Sequence, residues 1–336
     1  MKKIGVGLIF VCALTVLFSS CAKVKGRKIL NDKLTPVERY GALKVVGTQL
    51  CDQKGRPVQL CGMSSHGLQW YGKYANKDVI KWLRDDWNAD LWRAALYTGA
   101  YVTNNSLGSK VIDSIEAAVE LGMYVIVDWH VLTECDPLLY QKQAAEFFEK
   151  ISSTYADVPN IIYEICNEPN GDKVSWEKNI KPYAEKIIPI IRNNCNNIIV
   201  VGSPTWSGDL TEVIADPLKS QTNIMYSLHF YAGTHGKEQM QQIVNANKNG
   251  LAVFVTEWGT TQASGDGGVF EKETLEWMNF LADNRISWAN WSVNNKGEDS
   301  GVLKLNKDPL GKGGWALEDL QPSGVLVRSI LRGEIN

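Results

Sequence analysis

The sequence contains no Cys-x-x-Cys pair and no histidine-rich stretch. Nothing in it has the ligand spacing of a zinc site, so neither a metal nor any other cofactor is expected. It also lacks a dominant charge. A net charge of −2 over 336 residues gives no electrostatic reason to bind nucleic acid or an anionic membrane surface. Internal repeats and low-complexity blocks are absent, and nothing marks a second domain. A Gly-rich first turn is missing too, because Ser64-Ser65-His66-Gly67 follows the first internal apolar run. That argues against an open dinucleotide-binding sheet. What is abundant is tryptophan. Twelve indoles exceed the usual needs of a core, and flat indole faces suit stacking on sugar rings.

The amino terminus reads as a targeting segment. Lys2 and Lys3 precede the apolar run Val6–Phe18, which has signal-peptide length and is too short for a membrane span. Leu17-Phe18-Ser19-Ser20-Cys21 resembles a lipoprotein processing site, which implies cleavage before Cys21 and diacylglycerol on its thiol. The expected division is signal peptide over 1–20, a polar, basic tether over 21–39 and one catalytic domain over 40–336. Lipid would then be the only membrane contact, at the outer membrane or cell surface of a bacterial envelope. Of seven cysteines, Cys51, Cys61, Cys135, Cys166 and Cys195 remain for the folded domain. An odd number leaves at least one thiol free or paired with another chain. Cys51 and Cys61 flank the turn Lys54-Gly55-Arg56-Pro57 and could bridge in an oxidising compartment.

Beyond a hairpin pattern (Val45–Leu50 and Val58–Cys61), short apolar runs alternate with longer amphipathic ones. The apolar runs are Gln59–Met63, Ala89–Leu96, Tyr124–Asp128, Ile161–Ile165, Ile198–Gly202, Ile224–His229, Ala252–Thr256 and Ser287–Trp291. Helical spacing occupies Ser109–Leu121, Leu138–Thr154, Ser175–Arg192, Lys237–Asn249 and Phe270–Ala282. Eight strands alternating with helices predict an α/β fold, a closed (β/α)8 TIM barrel with a short N-terminal β-hairpin.

In such a barrel the working residues stand where strands end. Those positions hold His66 and Trp70, Arg93 and Tyr97, Asp128-Trp129-His130, Asn167-Glu168-Pro169, Trp206, His229 and Tyr231, Glu257-Trp258-Gly259, and Trp291. A glutamate ending a buried strand needs a charge or a ligand to meet. One such residue would be read as partnered by Arg93. Two of them, Glu168 on the fourth strand and Glu257 on the seventh, point to catalysis.

Asn167-Glu168-Pro169 and Thr256-Glu257-Trp258-Gly259 resemble the acid/base and nucleophile signatures of glycoside hydrolase family five. The stretches Gly62–Gly72, Arg93–Thr98, Asp128–His130 and Leu228–Ala232 look like its bacterial endo-β-1,4-glucanase branch. The resemblance covers residues 40–333. It implies a retaining mechanism with protonated Glu168 as acid/base and ionised Glu257 as nucleophile, their carboxyl groups about 5–5.5 Å apart. Arg93 would keep Glu257 ionised and Tyr231 would donate to it. Asn167 would bind the sugar 2-hydroxyl, and His130 and His229 would orient the carboxylates. Trp291 resembles the family's platform under the reacting sugar. Trp70 and Trp206 would stack glucose rings on either side of the cut, His66 and Tyr97 would line the cleft, and Lys296 and Glu298 would hold a second sugar. The expected partner is a β-1,4-linked glucan and the expected state a monomer. The rivals are a mannanase or xylanase of the same fold, a glycan-binding lipoprotein without activity, and a metal-dependent hydrolase using His66, His130 and His229.

Overall fold

The computed structural model describes residues 33–219 and 221–335, so the expected lipidation site, Cys21, lies outside the described residues. Two antiparallel strands, β1 (Lys44–Val46) and β2 (Gln49–Cys51), form a hairpin. Eight parallel strands then close into a barrel: β3 (Cys61–Ser65), β4 (Leu91–Tyr97), β5 (Tyr124–His130), β6 (Ile161–Glu164), β7 (Ile199–Val201), β8 (Ile224–Ser227), β10 (Val253–Gly259) and β11 (Trp288–Val293). A two-residue strand, β9 (Phe230–Tyr231), follows β8 and pairs with the end of β10. β11 pairs with both β10 and β3, and so closes the ring. The (β/α)8 fold expected from the alternating pattern is the one formed.

Side-chain alternation along each strand divides the barrel into layers. Leu91, Tyr124, Ile126, Ile162, Val200 and Phe254 fill the lower interior, where Leu43, Leu50 and Val58 of the hairpin region cover them. Their neighbours Trp92, Val125, Val127, Tyr163, Val253 and Val255 face outward into the shell beneath the helices. One step up each strand, the inward positions become Arg93, Asp128 and Glu164. Asp128 and Glu164 are direct neighbours across the β5–β6 pair. β10 breaks this rhythm. Val255 pairs with Trp288 and Trp258 with Asn290, so three steps on β10 match two on β11. This bulge turns Thr256 and Glu257 inward in succession while Trp258 stays in the outer core.

The predicted helices appear as Gly108–Leu121, Gln141–Thr154, Lys181–Arg192, Lys237–Lys248 and Glu271–Asn284. The helix expected over Ser175–Arg192 opens with a wide π-type turn, Trp176–Ile180. Three further helices, Lys77–Asp85, Thr211–Ala215 and Pro322–Leu331, complete the ring. The helix Gly108–Leu121 ends on Gly122 at φ +65°, where a β-carbon would fall 2.3 Å from Thr35 Oγ1. Only glycine tolerates both demands.

Three sequence expectations change. The tether read as running to residue 39 gives way earlier to a helix, Pro36–Tyr40, capped by Thr35 and Glu38 and bonded to the body through Val37 N–H and the Gly122 carbonyl (2.9 Å). The two-stranded hairpin turns at Gly47-Thr48, and the expected turn at Lys54–Pro57 follows it, organised by Asp52 accepting from Lys54 and Arg56 backbone N–H groups (2.8 and 2.9 Å) and pairing its flanks through one bridge, Cys51 to Pro57. No disulfide joins Cys51 to Cys61. Cys51 stands opposite Pro57, which places Cys61 four residues further along, roughly 13 Å at about 3.3 Å per residue.

Candidate active site

Arg93 is the hub of the charged layer and is fully buried. Its Nε and Nη2 donate to Glu164 (2.7 and 3.2 Å). Nη2 also reaches Asp128 (3.0 Å) and Asn167 Oδ1 (2.6 Å). Nη1 donates to Glu257 Oε2 (2.9 Å) and Ser64 Oγ (3.3 Å). A planar fork with five donors is the one side chain that can serve so many acceptors at once.

Donor arithmetic then fixes the protonation of the two catalytic-layer histidines. Asn167 Oδ1 is taken by Arg93, so its amide hydrogens face His130 Nε2 (3.3 Å) and the Val131 carbonyl (3.2 Å). His130 Nε2 is therefore an acceptor, and Nδ1–H donates to Asp128 Oδ2 (2.6 Å). Burial first, then Arg93, pushes His130 down to about 3, and it stays neutral. Burial also raises Asp128 well above the usual carboxylate range, against the pull of Arg93. On the other side, the Thr256 hydroxyl donates to Glu164 Oε1 (2.6 Å), so Thr256 Oγ1 accepts from His229 Nε2–H (2.9 Å). Burial alone would lower His229, but bonds to Glu164 and Glu168 carry it up to about 9. At neutral pH both its nitrogens hold hydrogen, and Nδ1–H donates to Glu168 Oε1 (2.9 Å).

Two carboxyl groups meet across this network with opposite tendencies. Oxygens of Glu168 and Glu257 and a nitrogen of His229 lie within 4.8 Å of one another. Burial, then the charge of Glu257, pushes Glu168 up to about 7. Burial acts in the same sense on Glu257, but Arg93, then His229, outweigh it and hold that carboxyl below its ordinary value. Tyr231 Oη donates to Glu257 Oε1 (2.8 Å). One group thus keeps a proton near neutral pH and the other is bare, the pairing that acid-and-nucleophile chemistry needs.

These groups open on a cleft of about 680 Å³. His66, Trp70, Tyr97, His130, Glu168, Trp206, His229, Tyr231, Glu257, Trp291, Lys296 and Glu298 line it, while Arg93 and Asn167 lie buried beneath. Trp291 and His130 stack at 5.4 Å, and Tyr97 stacks on His130 at 4.2 Å, which makes a continuous aromatic floor. Trp70 and Trp206 stand at the rims, 62% and 52% exposed. Indoles this bare in a deep groove suit a flat, partly apolar ligand face. Lys296 pairs with Glu298, which Ser300 also holds (2.6 Å).

The residues expected at the site line the cleft or lie buried beneath it, and some unexpected ones join them. Glu164 was hidden inside the apolar run Ile161–Ile165, where a lone charge is itself the signal. Thr256 and Ser64 carry no such mark. His235 lines the cleft wall and accepts from Tyr231 N–H (2.9 Å); its signal was its place four residues after Tyr231. Trp129 and Trp258, adjacent to these groups in sequence, face the outer core. Among the described residues the one cluster of three possible metal donors is Glu168, His229 and Glu257. An imidazolium with both nitrogens donating is a poor ligand. His66, His130 and His229 do not come together as a donor cluster among the described residues.

The family model for cellulase, glycosyl hydrolase family 5, matches residues 51–297. Endoglucanase A of Evansella cellulosilytica is 52% identical over 281 residues, which is 83% of this chain and 57% of that protein. The chain therefore spans less than two thirds of that relative's length. Among solved structures, one from Cytophaga hutchinsonii has a TM-score of 0.86 at 44% identity and covers 90% of this chain and 97% of that one. The catalytic domain of Thermobifida fusca endoglucanase Cel5A in complex with cellotetraose has a TM-score of 0.84 at 38% identity, with 89% and 100% covered.

Proposed function

The chain belongs to glycosyl hydrolase family 5, and from that premise we propose that it is a retaining endo-β-1,4-glucanase acting on cellulose-like glucans. The observation that carries the reading is the pair of carboxyl groups within 4.8 Å, biased to opposite protonation states. Inverting enzymes need about 6.5–9.5 Å to seat a water between the groups, and retaining ones about 5–5.5 Å. Glu168 donates its proton to the glycosidic oxygen while Glu257 attacks the anomeric carbon. Glu168, now a base, takes a proton from the water that releases the glycosyl-enzyme. Arg93 and Tyr231 keep the nucleophile ionised and aimed. The aromatic floor and the rim indoles accept glucose rings, and the open groove admits the middle of a chain.

Two of the similar proteins are named endoglucanases, and the cellotetraose bound to one of them supports glucan over other backbones. Reducing ends should appear several-fold faster from carboxymethylcellulose than from mannan or xylan, with the β-anomer formed first by NMR. Faster release from mannan or xylan would move the enzyme to another substrate, and α-anomer first would remove the mechanism.

We also propose that Cys21 carries lipid and holds the enzyme at the bacterial envelope. The support is the order of Lys2-Lys3, the apolar run and Ser19-Ser20-Cys21. No helix among the described residues is long and apolar enough to cross a membrane. Radiolabelled palmitate should enter the full chain in cells and be absent from Cys21→Ser; equal labelling of both, or of neither, would refute the anchor.

A further inference from the structure

After β7 the chain does something costly. Thr205, Trp206 and Ser207 take φ values of +57°, +55° and +53° in succession, in the left-handed region that residues with a β-carbon avoid. Three consecutive non-glycine residues in that state persist only where their surroundings hold them there. The contacts of Ser207 show what does so. It is fully buried. Its hydroxyl donates to the carbonyl oxygen of Asn167 (2.6 Å) and accepts from Ser203 N–H (3.1 Å), while its own carbonyl accepts from His229 N–H (2.7 Å). Next to it, Trp206 N–H donates to the Pro169 carbonyl (3.1 Å).

These bonds complete a ring. From the Glu168 carboxyl the path runs to the His229 ring, down to the His229 backbone, across to Ser207, through its hydroxyl to the Asn167 carbonyl, and by one peptide bond back to Glu168. Ser207 is the link that fixes the main chains of both residues in that acid–imidazole pair. We propose that Ser207 is a positioning residue for proton donation: its strained turn sets the register between the Glu168 loop and His229, and couples both to Trp206 at the cleft rim.

The inference rests on Glu168 being the acid/base. A residue that only stabilises the fold would lower activity alike on all substrates. One that positions the acid matters in proportion to how much the leaving group needs a proton. The test is kcat/KM, which reports the glycosylation step, on aryl β-cellobiosides from phenyl to 2,4-dinitrophenyl, for wild type, Ser207→Ala, Ser207→Gly and Glu168→Gln. The glycine variant removes the same hydroxyl but relieves the left-handed backbone, so it folds even where alanine does not. The expected result for both Ser207 variants is a loss of about tenfold or more on phenyl cellobioside that shrinks to under about twofold on the dinitrophenyl substrate. Equal losses across the series, or none, overturn the role of Ser207. Should Glu168→Gln itself show no dependence on leaving group, the acid/base assignment falls instead, so the two failures are told apart.

Discussion

Glu257→Gln should cut the hydrolysis of every β-glucan by on the order of 10⁴–10⁶-fold, the scale of losing a hydrolase nucleophile. The wild-type carboxylate receives a hydrogen bond on each oxygen, from Arg93 on Oε2 and from Tyr231 on Oε1. A glutamine offers one acceptor to these two donors, so its amide nitrogen must face one of them. The variant therefore loses charge, nucleophile and alignment together. Small anions discriminate this reading from a merely structural defect. In Glu257→Ala, azide can occupy the vacated space and attack the anomeric carbon directly from that side, giving the α-glycosyl azide. In Glu168→Ala the covalent intermediate still forms, and azide then gives the β-product. The reverse pairing of variant and anomer would exchange the two roles. Failure of either variant to yield azide adducts, with activity retained, would end the double-displacement account.

How much of this could be read from the chain depends on what each feature leaves behind in sequence. The barrel was legible because buried parallel strands are short apolar runs and the crossing helices are long periodic ones. The site was legible because polar residues at strand ends have no packing reason to be there, and Glu168, Glu257, His130 and His229 all carry that mark. Glu164 was missed because it sits within a strand, and a window that reads Ile161–Ile165 as apolar averages its charge away. Thr256 was missed for a different reason. Strict alternation would send either Thr256 or Glu257 outward, and the β10 bulge that turns both inward is a pairing irregularity without a residue signature. The left-handed turn at Thr205–Ser207 is likewise invisible, since residue type argues against the conformation adopted. Only one of two successive turns was read, because Gly55-Arg56-Pro57 looks more turn-like than Gly47-Thr48; Asp52 closes the former, and its flanks pair through a single bridge, Cys51 to Pro57, rather than a full strand ladder.

Arg93→Met should have the largest effect on stability, about 3–5 kcal/mol, because breaking a buried ion cluster leaves charge without its partner. Three carboxyl groups, those of Asp128, Glu164 and Glu257, touch this one guanidinium. The sign of the pH dependence follows from what Arg93 does to them. Burial acts to raise Glu164, but Arg93 first, then bonds from its neighbours, hold it at about 2 against an ordinary value of 4.5. A depressed carboxyl contributes stability that is full above the unfolded pKa and lost as pH falls through the folded one, here between about 4.5 and about 2. Without the cation, burial and mutual repulsion act unopposed and the carboxyls rise. Acid then protonates them and relieves the variant while it weakens the wild type. The gap in denaturation free energy should therefore be widest near pH 8 and narrow towards pH 4. The same loss lets Glu257 take up a proton at higher pH, so the acid limb of kcat/KM should move upward in whatever activity remains. Arg93→Lys keeps one charge but not the fork, and should fall between the two in stability while still losing the alignment of Glu257. A gap that stays constant from pH 4 to 8, measured by urea denaturation, would mean that Arg93 acts by packing rather than charge.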